Sequence, residues 1–123
     1  MSRRVLVVED DLLNRMLYSA VLEGNGFAVE LVGDGAHALA KARDFRPDVI
    51  IMDIQLPNIS GLELIEALQG DAEFRQVPIL AVTAFVGKNE ERRIRQAGAK
   101  AFMAKPISIK PLVAAINGLL GEK

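Results

Sequence analysis

Residues 49 to 53 read Val-Ile-Ile-Met-Asp, an apolar run that ends abruptly on a carboxylate. Pro57 then bars a helix, and Gly61 stands beside the start of the next helical pattern. A run apolar on both faces is a strand buried on both faces, which demands layers on each side of a parallel sheet. A carboxylate at the exit of such a strand sits at the lip of the sheet, where α/β proteins place their chemistry. Three further runs end in the same manner. Val5 to Val8 leads to Glu9 and Asp10, Ile79 to Val82 to Thr83, and Ala101 to Ala104 to Lys105 with Pro106 behind it. If these strands are parallel neighbours, acids, a hydroxyl and a lysine converge on one edge.

Helical patterns fill the intervals. Leu13, Met16, Leu17, Ala20 and Val21 recur with helical period and predict an amphipathic first helix with that stripe inward. Asp10 and Asp11 are placed to cap it, and Gly24 to Gly26 to stop it. Phe27 to Val32 predicts a shorter, more polar strand near the sheet edge. Ala36 to Phe45 predicts a second helix, ended by Arg46 and Pro47. A third helix is expected from about Gly61 to Leu68, with Leu64, Ile65 and Leu68 inward. Pro78 opens the fourth strand. Lys88 to Gln96 predicts a charged and exposed fourth helix held by Ile94 and Ala97. Ile109, Leu112, Val113, Ile116 and Leu120 predict a last amphipathic helix, with Pro111 in its first turn. Five strands alternating with five helices make an α/β fold, a doubly wound five-stranded parallel sheet of (βα)5 form. The 123 residues leave no stretch for a second domain, so a single domain over 1–123 is expected.

Composition excludes several chemistries. There is no cysteine, which removes disulfides, thiolate metal sites and thiol nucleophiles. A formal net charge of −1 favours neither nucleic acid nor an anionic membrane. No apolar run approaches the roughly 20 residues of a membrane span. A cytoplasmic protein with no nucleic-acid and no membrane partner is expected.

Glu9, Asp10 and Asp53 offer oxygen ligands only, a donor set suited to Mg²⁺, with Mn²⁺ as a substitute. Two like charges about 4 Å apart repel by roughly 1 kcal/mol in water and about 4 kcal/mol at an effective dielectric of ~20. Three acids at one lip therefore call for a metal, for Lys105, or for a bound proton with raised pKa. Relief of this crowding predicts that Asp10→Asn raises the metal-free melting temperature and weakens Mg²⁺ binding. A carboxylate beside Mg²⁺ can attack phosphorus to give an aspartyl phosphate. The metal, Lys105 and the Thr83 hydroxyl would then surround the transferred oxygens. Each residue alone has a plainer reading: Asp53 as a turn residue, Lys105 as a solvated lysine, Thr83 as a good strand residue, the acids as a helix cap. Their conjunction at four strand ends carries the argument. His37 is assigned nothing, and Arg92, Arg93 and Arg95 read as a solvated helix face.

In this order, Glu9-Asp10, Asp53 with Pro57 and Gly61, Thr83-Ala84 and Lys105-Pro106, the chain resembles the receiver domain of two-component response regulators over nearly its whole length. Val5 to Asn14, Asp53 to Pro57, Val82 to Phe85 and Lys105 to Ser108 are similar to the single-domain cell-division regulators of alphaproteobacteria. The resemblance implies the flavodoxin-like, CheY-like strand order 2-1-3-4-5. It implies Asp53 as phosphoacceptor, Mg²⁺ held by Glu9, Asp10, Asp53 and the main-chain carbonyl of Gln55, and phosphoryl oxygens bound by Thr83 and Lys105. Lys105-Pro106 would be a cis peptide, and Thr83 and Phe102 would form the switch. A phenylalanine at Phe102, where many receivers carry tyrosine, would act by burial without a hydroxyl.

The implied partners are a histidine kinase or histidine phosphotransfer protein as donor, and a downstream protein bound by the fourth helix, fifth strand and fifth helix. A monomer or weak dimer in cell-cycle or cell-division control is expected, with self-phosphorylation and autodephosphorylation but no turnover of an external substrate. The competing readings are a receiver excised from a hybrid histidine kinase and a phosphorylation-independent binding module. A phosphohydrolase resembling the haloacid dehalogenases would want a second Asp where Gln55 stands.

Overall fold

The computed structural model describes residues 2–85 and 87–121. The strands are β1 (Arg4–Val8), β2 (Ala28–Val32), β3 (Val49–Asp53), β4 (Ile79–Thr83) and β5 (Ala101–Ala104). The helices are α1 (Leu12–Gly24), α2 (Ala38–Phe45), α3 (Gly61–Gln69), α4 (Lys88–Ala97) and α5 (Ile109–Leu119), with a 3-10 turn at Gly35–His37 before α2. All strand pairs are parallel, in the order β2-β1-β3-β4-β5. The polar strand β2 lies at an edge and the apolar β3 in the middle.

Alternation along each strand feeds two cores. Val5, Val7, Ile51, Leu80 and Val82 pack with Tyr18 and Leu22 of α1 and with Leu112 and Ile116 of α5. Leu6, Val8, Ile50, Met52 and Ala81 pack on the opposite face with α2, with Leu64, Ile65 and Leu68 of α3, and with Ile94 of α4. Strand β3 is buried throughout, and each of its large side chains contributes about 1.5–3 kcal/mol by leaving water. Phe74, in the irregular segment after α3, fills the second core at 2% exposure. Sequence reading had given it no place.

The first helix departs from expectation. Leu13, Met16 and Leu17 are 74%, 57% and 47% exposed, and Tyr18 and Leu22 face the sheet instead. The helix carries two apolar stripes. Tyr18 and Leu22 pack with Phe27 and the sheet, joined by Val21 from the expected stripe, while Leu13, Met16, Leu17 and Ala20 of that stripe stay in solvent. In α5, Leu112 and Ile116 are buried as expected, while Ile109 is 55% exposed at the first turn. Helix α4 is anchored by Ile94 and Ala97, and Glu90–Arg93 and Glu91–Arg95 pairs lace its outer face.

Candidate functional site

The sheet order reverses at β1, between β2 and β3, and the crevice beyond the strand ends there is where parallel sheets bind ligands. Glu9 and Asp53 flank it. Asp53 ends β3, and Glu9 follows β1 with its N–H donating to the Val32 carbonyl. Both carboxylates are nearly closed to water, at 1% exposure for Glu9 and 2% for Asp53, whereas Asp10 is exposed. One oxygen from each of Glu9, Asp10 and Asp53 lies within 4.8 Å of the others. With Asp10 in solvent, crowding falls mainly on Glu9 and Asp53, so the relief expected from neutralising Asp10 shrinks.

Lys105 enters from the end of β5, on the same alternation face as Met103. Its Nζ donates to Asp53 Oδ2 at 3.1 Å and lies 3.5 Å from Glu9 Oε1. Burial alone would lower the lysine pKa. The hydrogen bond it donates to Asp53 and the charges of Asp53 and Glu9 outweigh it and hold the ammonium above its usual range. For Glu9, burial raises the carboxyl pKa and the Asp53 charge adds to the rise, against the opposing Asp11 amide and Lys105. The Asp11 N–H donates to Glu9 Oε2 at 3.1 Å. Glu9 Oε1 is buried with no hydrogen bond among the described residues. A buried, unsatisfied carboxylate oxygen beside two more acids fits a hard divalent cation.

Local sequence explains the placement. Asp11, not Asp10, caps α1, accepting from the Asn14 amide at 2.9 Å. Arg15, one turn in, braces the acidic loop by donating to the carbonyls of Glu9 at 2.9 Å and Asp10 at 2.8 Å. Gly33 makes room for that guanidinium, since a Cβ there would stand 2.6 Å from Arg15 Nη1. Gly61 packs against the strand exit, where a Cβ would collide with the Asp53 carbonyl and come within 2.7 Å of Ile54 Cα. The Gln55 N–H donates to Asp53 Oδ1 at 3.1 Å.

Thr83 is fully buried at the end of β4. Its Oγ1 accepts from Gln55 Nε2 at 2.9 Å and from the Phe85 N–H at 3.1 Å. Phe102 is half-buried two residues from the end of β5, with the Arg95 guanidinium 5.7 Å from its ring centroid. The Lys105-Pro106 peptide is cis. Glu9, Asp10, Asp53 and Lys105 are thus brought together, Thr83 stands at the neighbouring strand end, and Phe102 lies one strand further out. Arg15 was missed by sequence reasoning, and so were the bonds that the Gln55 side chain makes to Thr83 and Ala84. Arg15 had only helical spacing from Asp11 as a signal, and Gln55 only its place two residues after Asp53, which does not say where its side chain turns.

A cavity of about 330 Å³ opens onto Glu9 and Lys105. Asn14, Leu17, Tyr18, Pro106 and Ile107 complete its lining, so it is continuous with the exposed stripe of α1. Burial raises the Tyr18 hydroxyl pKa, and the charges of Glu9 and Asp53 add to it. No described helix is long and apolar enough to cross a membrane.

Known proteins share this architecture. The chain is 44% identical over 122 residues to the polar-differentiation response regulator DivK of Brucella anthropi, covering 99% of each chain. It is 43% identical to the DivK of Brucella ovis with the same coverage. The chemotaxis protein CheY4 of Vibrio cholerae superposes with a TM-score of 0.92 at 30% identity, over 97% of this chain and 99% of that one. The receiver domain of a sensor histidine kinase from Pseudomonas aeruginosa, whose structure has a magnesium ion coordinated in the active-site cleft, superposes with a TM-score of 0.89 at 31% identity, over 99% of this chain and 100% of that one. The model of the response regulator receiver domain matches residues 5–117. With the sheet order, the acidic crevice and these likenesses together, the chain belongs to the response regulator receiver family.

Proposed function

We propose that this chain works as a stand-alone receiver of a phosphorelay, a switch that Mg²⁺-dependent phosphorylation of Asp53 turns on. The observation that carries this is the Asp53 carboxylate, 2% exposed yet set at the crevice with Glu9 and Asp10 around it and the Lys105 ammonium at 3.1 Å. An Asp53 oxygen attacks the phosphorus of a phosphohistidine on a histidine kinase or histidine phosphotransfer protein. A P–O bond forms, the P–N bond breaks, and its electron pair leaves with the imidazole. Glu9, Asp10, Asp53 and the Gln55 carbonyl would hold Mg²⁺, which when bound draws negative charge off the phosphoryl oxygens. The magnesium in the Pseudomonas relative supports that assignment. Lys105 supplies a fixed cation on the other side and Thr83 a hydroxyl donor. Hydrolysis of the acyl phosphate by water resets the switch, with no external substrate turned over.

Exposed Leu13, Met16 and Leu17 beside the crevice suit docking of the protein donor, because a partner seated there has the cavity at Leu17 and Lys105 next to it. Thr83 and Phe102 would carry the change outward to α4, β5 and α5, where a downstream protein listens. Moving a two-state equilibrium from 1:99 to 99:1 takes roughly 5.5 kcal/mol of preference, so a graded shift completed by the partner is expected. A cytoplasmic role in cell-cycle or cell-division control belongs to this reading, and the likeness to a polar-differentiation response regulator, DivK, is in keeping with the process. The test is transfer of labelled phosphate from a phosphorylated phosphotransfer protein. Label should reach the native chain and be absent from Asp53→Asn; equal labelling of both overturns the reading.

A further inference from the structure

The side chain of Gln55 ties the exit of β3 to the exit of β4. Its Nε2 donates to Thr83 Oγ1 at 2.9 Å, and its Oε1 accepts from the Ala84 N–H at 2.9 Å. A backbone amide can only donate, so the Ala84 contact fixes which end of the carboxamide is oxygen and leaves the nitrogen for Thr83. With the Phe85 N–H at 3.1 Å, both acceptor positions of the Thr83 oxygen are filled. Asp53, meanwhile, takes its hydrogen bonds from the Gln55 amide and Lys105. One residue therefore touches Asp53 through its backbone and holds the Thr83 hydroxyl through its side chain.

We propose that the Gln55 side chain is a positioning latch, which holds Thr83 and the first residues after β4 in the resting arrangement and must release them before Thr83 can reach a phosphoryl group on Asp53. The proposal rests on the reading of Asp53 as phosphoacceptor. Bringing the Thr83 oxygen toward Asp53 withdraws it from Gln55 Nε2, and carrying Ala84 with it breaks the second bond. Phe85 is 63% exposed and lines an open groove of about 540 Å³ with Gln55, Lys88 and Arg93, so the segment has space to shift. Gln55 thus sets how easily phosphorylation is converted into movement.

The test uses Gln55→Met, close in length and without the hydrogen bonds, and Gln55→Ala as a second variant. The probe is beryllofluoride with Mg²⁺, a stable mimic of the phosphoryl group, and the readouts are its affinity and the amide resonances of Ala84 and Phe85. In both variants the resting resonances should lie part of the way along the line from the free to the saturated native protein. Affinity for the mimic should tighten about fivefold to tenfold, the net worth of roughly one hydrogen bond. A side chain that merely filled space would change melting temperature without moving resonances along that line. Resting resonances off the line with unchanged or weaker affinity, while the native chain binds the mimic normally, overturn the latch and leave the phosphoacceptor reading standing. A native chain that binds no mimic in Mg²⁺ overturns both.

Discussion

The Lys105 ammonium donates to Asp53 Oδ2 at 3.1 Å from a side chain that is only 26% exposed. Two strand ends that lie at opposite sides of β4 are joined by this contact, and the lysine offsets two buried carboxylates in the metal-free chain. Lys105→Met should lower metal-free stability by about 1–3 kcal/mol, below the range for a wholly buried pair because water still reaches the ammonium. Millimolar Mg²⁺ should recover part of that loss. Urea unfolding of both proteins with and without the metal measures it.

Acid pH should act through Glu9. Its carboxyl pKa is raised on folding, by burial first and then by the Asp53 charge. The folded state therefore binds that proton more tightly than the unfolded chain. Ionising Glu9 costs stability as the pH climbs from the ordinary carboxylate range through the folded value. Glu9→Gln removes this cost. Its metal-free melting temperature should exceed that of the native chain at pH 7 by several degrees, about 5 °C for each kcal/mol, and the gap should close in acid. Asp10→Asn, in solvent, should move the melting temperature by an amount worth about 0.5 kcal/mol or less while still weakening Mg²⁺ binding. Calorimetric scans from about pH 3, below the ordinary carboxylate range, to pH 8, with and without Mg²⁺, check both.

Alkaline pH tests the lysine. Its pKa is raised by Asp53 and Glu9 despite burial, so the stability it contributes is complete below the ordinary lysine value and is lost as the pH rises through the folded one. The stability difference between the native chain and Lys105→Met should hold through neutral pH and shrink only above about pH 10.5.

The two stripes of α1 separate stability from docking. Leu22→Ala, in the core, should cost about 2–5 kcal/mol. Leu13→Asp and Met16→Asp, on the exposed stripe, should cost about 0.5 kcal/mol or less, leave labelling by acetyl phosphate unchanged, and slow transfer from a protein donor. Parallel kinetics with the two donors make the comparison.

Gly61→Ala should disturb the site from outside it. Its methyl group meets the Asp53 carbonyl and Ile54 Cα, both backbone atoms of a buried strand exit. A loss of about 1–3 kcal/mol is expected, typical of overpacking, with slower phosphorylation of Asp53. Urea unfolding and labelling kinetics read the two effects.

Much of this was legible because it is local. Runs such as Val49 to Met52 declare buried strands, and the polar residue that ends each run marks the crevice. The inward face of α1 was misread because periodicity shows that an apolar stripe exists, not which stripe the sheet covers. Tyr18 and Leu22 win that choice through contacts with Phe27 and β1, which no local pattern encodes. Phe74 stood alone among polar residues, so nothing marked it as core. The partners of the Gln55 side chain were not legible, because it meets Thr83 and Ala84 across 28 and 29 positions of sequence.

The most direct measurement is intact mass after incubation with acetyl phosphate, with Mg²⁺ or with a chelator, on the native chain and on Asp53→Asn. The account predicts a gain of one phosphoryl group that requires Mg²⁺ and is absent from the variant. A gain of equal size in Asp53→Asn, or one that persists undiminished in the chelator, would contradict it.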